Sequence, residues 1–75
     1  MSDSPNARLT TRERVVMHYH VQGLSREEIA TTMTVSPHTV DAHLRNAKHK
    51  LAARNMAQAG ALYVTLARSE RRNGG

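Results

Sequence analysis

The chain has 75 residues, a formal net charge of +5, no cysteine, and Tyr19 and Tyr63 as its only aromatics of the Phe/Trp/Tyr class. One small domain is the most this length allows, near the lower limit for a self-sufficient core, and without cysteine there is no disulfide framework, thiolate metal site or thiol nucleophile. No apolar run approaches the roughly 20 residues a membrane span needs, and the polar start Met-Ser-Asp-Ser-Pro-Asn lacks a signal peptide's apolar stretch, so a cytoplasmic location is expected.

Residues 1–8 read as a flexible polar tail. Thr10 with Glu13 three residues later is a capping-box pattern, in which each side chain satisfies an orphan backbone N–H of a helix start. The helix it opens should run from about Thr11 to Gln22, and Gly23 suits the left-handed position that ends helices. Ser25 and Glu28 repeat the pattern and open a short helix, Arg26 to Met33, with Ile29, Ala30 and Met33 turned inward. After a tight connection at Thr34-Val35, Ser36 can cap a third helix that starts at Pro37, where a missing N–H costs nothing, and extends to about Ala53. Asn55 caps a fourth helix from about Met56 to Ser69, and residues 70–75 read as a disordered basic tail. The expected fold is all-α: a four-helix bundle over residues 9–69 that contains a helix-turn-helix.

At about 100° per residue, Val40, Leu44, Ala47 and Leu51 share one arc of the third helix and must face the core. Opposite them lies a ridge of His38, Ala42, Arg45 and His49, free of large apolar groups. Thr39, His43, Asn46 and Lys50 flank it on one side, Asp41 and Lys48 on the other. From Ala42 to Arg54 the chain holds four basic residues (Arg45, Lys48, Lys50, Arg54), two histidines and no acid. A solvated helix face would satisfy the periodicity alone; the capped helix in front and the basic block favour a polyanionic partner. A slim polar ridge flanked by cations suits the DNA major groove, about 12 Å wide. On this reading His38 joins the base-facing ridge, while Lys48, His49 and Arg54 meet phosphates.

Five histidines raise the question of a metal, but His38, His43 and His49 lack i,i+4 spacing and no HExxH occurs. With no nucleophile elbow and no P-loop, the chain is expected to be neither an enzyme nor a metal or cofactor protein. His20 falls within the apolar arc of the first helix, beside Val16 and Met17, and is expected as a neutral core histidine. On the fourth helix Met56, Ala59, Leu62, Tyr63 and Leu66 form a broad stripe that includes Gly60, wide enough to pack on the first three helices and still leave edges for a two-fold partner. A mid-helix glycine costs about 1 kcal/mol relative to alanine, which suggests close approach of another helix.

These segments resemble a known family. "LTTRERVV" (Leu9–Val16), "GLSREEIA" (Gly23–Ala30), "VSPHTVDAHLRNAKHKL" (Val35–Leu51) and "NMAQA" (Asn55–Ala59) are similar to the LuxR-type (GerE- or NarL/FixJ-type) helix-turn-helix domain of bacteria and their phages. The resemblance spans about Leu9 to Ala67 and implies a transcription regulator whose third helix binds double-stranded DNA and whose fourth helix forms a homodimer. By position it implies phosphate contacts from Ser36, Thr39, Asn46 and Lys50, and base-facing roles for Asp41, Ala42 and Arg45. It also implies a dimer contact along Met56, Ala59, Gly60, Leu62, Tyr63 and Leu66, and it aligns Glu13 with the family's first-helix glutamate, here read as a capping and bracing residue. The chain departs from the pattern at Asp41, commonly lysine, Ala47, commonly isoleucine, His20, commonly leucine, and Met56, commonly arginine. With only a short tail in place of a sensor domain, it is expected to be free-standing. A second reading is a protein-interaction module that pairs with a full-length LuxR-type regulator or docks on RNA polymerase. "RNAKHKL" also resembles the end of sigma-factor region 4.

Asp41 stands out as an acid in the middle of this basic helix. One turn from both His38 and Arg45, it can brace the helix surface for a few tenths of a kcal/mol, about 0.2–0.5. It can equally accept from a cytosine amine or reject sites that suit lysine, and a third possibility is that it weakens DNA binding in favour of protein contacts.

Overall fold

The computed structural model describes residues 9–74, with side-chain surroundings over 9–69; the expected tail over 1–8 lies outside the described residues. Four helices follow one another: α1 (Thr11–Val21), α2 (Arg26–Met33), α3 (Pro37–Lys50) and α4 (Met56–Gly74). There is no strand among the described residues.

Each helix begins on the side chain its local sequence supplies. Thr10 Oγ1 accepts from the Glu13 N–H at 3.1 Å while Glu13 Oε1 accepts from the Thr10 N–H at 2.9 Å. Ser25 and Glu28 form the same reciprocal pair at 3.1 and 2.7 Å. Ser36 Oγ accepts from the Thr39 N–H at 3.1 Å, with Pro37 in the first turn. At α4, Asn55 Oδ1 accepts from Gln58 N–H and Gln58 Oε1 from Arg54 N–H, a cap one residue wider than a capping box.

The helix ends hold more surprises. α1, α2 and α3 all close in one way: a residue at positive φ, with the following N–H reaching back to a carbonyl five residues earlier. The bonds are Leu24 N–H to Tyr19 O (3.2 Å), Val35 N–H to Ala30 O (3.0 Å) and Ala53 N–H to Lys48 O (3.0 Å). The left-handed residues are Gly23 (φ 96°), Thr34 (φ 60°) and Ala52 (φ 57°). Because Ala52 turns the chain, α3 stops at Lys50, short of the expected Ala53. α4 continues to Gly74, past the expected end at Ser69, through a stretch with no helix breaker before its glycines.

α3 is the hub, packing against α1, α2 and α4, whereas α2 and α4 do not touch. Two apolar clusters meet on it. Val16, Ile29, Ala30 and Val40 form one; Leu9, Met17, Ala47, Ala59 and Tyr63 form the other, and Leu44 packs against both. His20 is half-buried at the contact between α1 and α4, not at the centre of the core as expected. A methyl group built on Gly60 would lie 3.3 Å from Val21 Cγ1 and 3.9 Å from His20 Cδ2, so the close approach that the glycine permits is made by α1 of the same chain.

Candidate nucleic-acid interface

Val40 and Ala47 are fully buried, which fixes the rotation of α3 about its axis. The ridge anticipated from helical periodicity therefore faces away from the protein. On the ridge His38, Arg45 and His49 are exposed and Ala42 is half-buried; on its flanks Asn46 is exposed and Thr39, Asp41, Lys48 and Lys50 are half-buried. Ser36, at the entry to the helix, is exposed and lies with its hydroxyl 3.0 Å from that of Thr39. Arg54 is exposed just beyond the other end. The eleven positions named for base and phosphate contact are thus all exposed or half-buried, from the entry of α3 to the turn before α4.

Charge along this stretch is divided by partnership. Among the described residues, Arg45, Lys48 and Arg54 have no carboxylate partner. Lys50 is different: its ammonium donates to Glu13 Oε1 at 2.8 Å. The Glu13 side chain is only 5% exposed against 30% for Lys50. Burial pushes the Glu13 carboxyl up, but the hydrogen bond and charge of Lys50, with the hydrogen bonds of Thr10, outweigh it and hold the group below its ordinary value. One carboxylate thus joins the start of α1 to the end of α3.

Asp41 has neither of the partners expected along its own helix. Arg26, the first residue of α2, donates from Nη1 to both carboxylate oxygens, at 2.8 and 3.0 Å. Asp41 holds the guanidinium's proton affinity above its ordinary value through hydrogen bonding and charge, with a smaller contribution from Glu27. Arg26 carried no role in the sequence reading. The signal that would have found it is a cation at a helix start, where the helix dipole disfavours positive charge. Beside the pair, Asp41, Leu44, Arg45, Lys48 and Met56 line a shallow open depression of about 250 Å³.

On α4, Ala59, Gly60 and Tyr63 are buried in the chain's own core, and Met56 and Leu66 are half-buried against it. Leu62, 36% exposed, is the one residue of the anticipated dimer stripe that presents its side chain to solvent. Val64 and Val21 are the other large apolar side chains exposed among the described residues. No described cluster of three or more His, Asp or Glu side chains could hold a metal ion, and no described helix is long and apolar enough to cross a membrane.

Residues 7–63 match the family described as "Bacterial regulatory proteins, luxR family". The chain belongs to this family. The assignment covers α1, α2 and α3 and the first eight residues of α4. Among curated relatives, this luxR-family chain is 39% identical over 62 residues to the nitrate/nitrite response regulator protein NarP of Escherichia coli (strain K12), an alignment that covers 83% of the chain and 29% of NarP. It is 36% identical over 72 residues to the probable transcriptional regulatory protein SgaR of Hyphomicrobium methylovorum, covering 96% of the chain and 34% of SgaR. To the transcriptional activator protein SolR of Ralstonia solanacearum it is 44% identical over 54 residues, or 72% of the chain and 23% of SolR. The chain therefore spans about a quarter to a third of the length of these relatives, all of them named as regulators.

Proposed function

We propose that this luxR-family chain binds duplex DNA in a sequence-dependent way and regulates transcription in the cytoplasm, without catalysis. The observation that carries the proposal is the exposed face of α3 and of the turn after it, whose cations Arg45, Lys48 and Arg54 have no carboxylate partner among the described residues while the opposite face of α3 is locked into the core. A block of cations left unpaired on a rigid helix favours a phosphate backbone as counter-charge. The regulatory names of the relatives support the same reading.

In this proposal α3 enters the major groove. His38, Ala42 and Arg45 face the base edges, with Arg45 as the guanine-reading residue, and Asp41 stands at their margin. Ser36, Thr39, Asn46, Lys48, His49 and Arg54 bind phosphates. Lys50, whose ammonium is shared with Glu13, is a weaker phosphate donor than Lys48. A two-fold partner docks along α4 with Leu62 at its centre, aided by the outer edges of Met56 and Leu66. Selection of bound sites from random duplexes, followed by titration at several salt concentrations, tests the proposal. Arg45→Ala should lower discrimination at one base pair by about 1–3 kcal/mol. Recovery of no preferred site from the wild-type chain would overturn it.

The exposed Leu62 also favours a second reading, pairing with the corresponding helix of a longer luxR-type regulator, or docking on RNA polymerase. In that case Leu62→Arg abolishes capture of the partner and Arg45→Ala leaves it intact.

A further inference from the structure

Arg26 is poorly placed for the stability of its own helix. As the first residue of α2 it puts a cation at the positive end of the helix dipole. Its fork is nevertheless tightly defined, because Nη1 is held by both oxygens of Asp41 across the turn between α2 and α3. A guanidinium is planar and rigid, so fixing one terminal nitrogen at two points fixes the plane of the whole group. Nε and Nη2 retain donors, the latter loosely opposed by Glu27 at 3.6 Å, a side chain 68% exposed and free to swing away. The Arg26 side chain is itself 47% exposed.

We infer that Arg26 is a DNA contact delivered from α2, and that Asp41 is the residue that positions it rather than a reader of bases. The inference rests on the duplex-binding role of α3. Asp41 stands on the flank of the ridge, one turn from Arg45, which has no carboxylate partner among the described residues. A guanidinium anchored on Asp41 is thereby carried to the margin of the same surface. By taking Arg26 as partner, Asp41 leaves Arg45 unneutralised, and its own negative charge is answered before DNA arrives. The ligand for the remaining donors is an acceptor oxygen of DNA, from a backbone phosphate or from a guanine edge.

A double-mutant cycle on the selected duplex tests this, with Arg26→Ala, Asp41→Asn and the double variant titrated by fluorescence anisotropy at several salt concentrations. Arg26→Ala should weaken binding several-fold. If the acceptor is a phosphate, the salt slope falls by about one and site preference is unchanged; if it is a guanine, preference at one base pair relaxes. Removal of the Asp41 charge helps any DNA complex, so Asp41→Asn should tighten binding in the Arg26→Ala background. With Arg26 present, that gain should shrink or reverse, because the fork loses its anchor. Arg26→Lys keeps the charge without the fork and should recover part of the affinity but none of the coupling. Both side chains are partly exposed, and thermal melts of each variant separate folding from binding. An Arg26→Ala variant that binds as wild type overturns the inference, as does an Asp41→Asn gain equal or larger with Arg26 present. If the wild-type chain selects no site, the duplex-binding role fails with it; if it selects a site and Arg26 is silent, only the inference fails.

Discussion

Glu13 shows how much a single side chain can hold together. It accepts from the Thr10 backbone at one helix start and from Lys50 at another helix's end. Its carboxyl lies below the ordinary value of 4.5 in the folded chain. The unfolded chain therefore takes up a proton first on acidification. The stabilisation is complete above that ordinary value and is lost as pH falls through the lower folded-state value. Urea melts should show Glu13→Gln less stable than wild type at pH near 7, with the gap closing below about pH 4. A gap that persists unchanged in acid would mean that the ion pair contributes nothing. Lys50→Met leaves the buried carboxylate without its cation and should cost about 1–3 kcal/mol at neutral pH. Half of this cluster was legible in the sequence. Thr10 and Glu13 are three residues apart and form a recognisable cap, whereas Lys50 lies 37 residues further on and no local pattern announces it. Asp41 is the same case: periodicity placed it on the flank of α3 and offered His38 and Arg45 as neighbours, but its partner sits on another helix.

At the scale of elements, all four starts were readable and so were the ends of α1 and α2, but not those of α3 and α4. Every helix start is written in a Ser, Thr or Asn side chain that bonds within three residues. Of α1, α2 and α3, only α1 ends on the glycine that the left-handed position prefers. α2 and α3 make the same closing turn with Thr34 and Ala52, residues that carry no stop signal, and α3 ends three residues before the expected Ala53. Tertiary packing must supply what these residues lack, since a Cβ in the left-handed region costs about 1–2 kcal/mol. Replacement by glycine removes that strain but gives back part of it through the freer unfolded chain. Ala52→Gly, at an exposed position, should therefore raise stability by about 0.5–1 kcal/mol, and Thr34→Gly should move the same way. Chemical denaturation checks both, and destabilisation by Ala52→Gly would show that φ at this position is not strained.

At the scale of the whole domain, the described residues measure 32 × 24 × 21 Å, and this size bears on how two copies would share a duplex in the proposed dimer. Two-fold helix-turn-helix dimers place their recognition helices one DNA turn apart, about 34 Å. Two domains of this size fit that spacing side by side if a small, off-centre patch joins them. The broad apolar stripe of α4 looked sufficient for the purpose in the sequence, but burial divides it: Ala59, Gly60 and Tyr63 serve the monomer's own fold, and Leu62 remains outside. Pattern alone could not make that division, because intrachain and interchain packing use the same residue types. A contact centred on one exposed leucine is small, so the dimer should be weak in free solution and form chiefly on DNA. Leu62→Arg should leave the thermal melt nearly unchanged, within about 0.5 kcal/mol for an exposed site. On a duplex carrying both half-sites it should convert the two-copy complex into independent single occupancy, read as loss of cooperativity and of the slower-migrating band. An isolated half-site should bind wild type and Leu62→Arg alike, apart from the modest gain expected from one added cation. Cooperative occupancy that survives Leu62→Arg would place the two-fold contact elsewhere, with exposed Val64 and Val21 as the next surface to substitute.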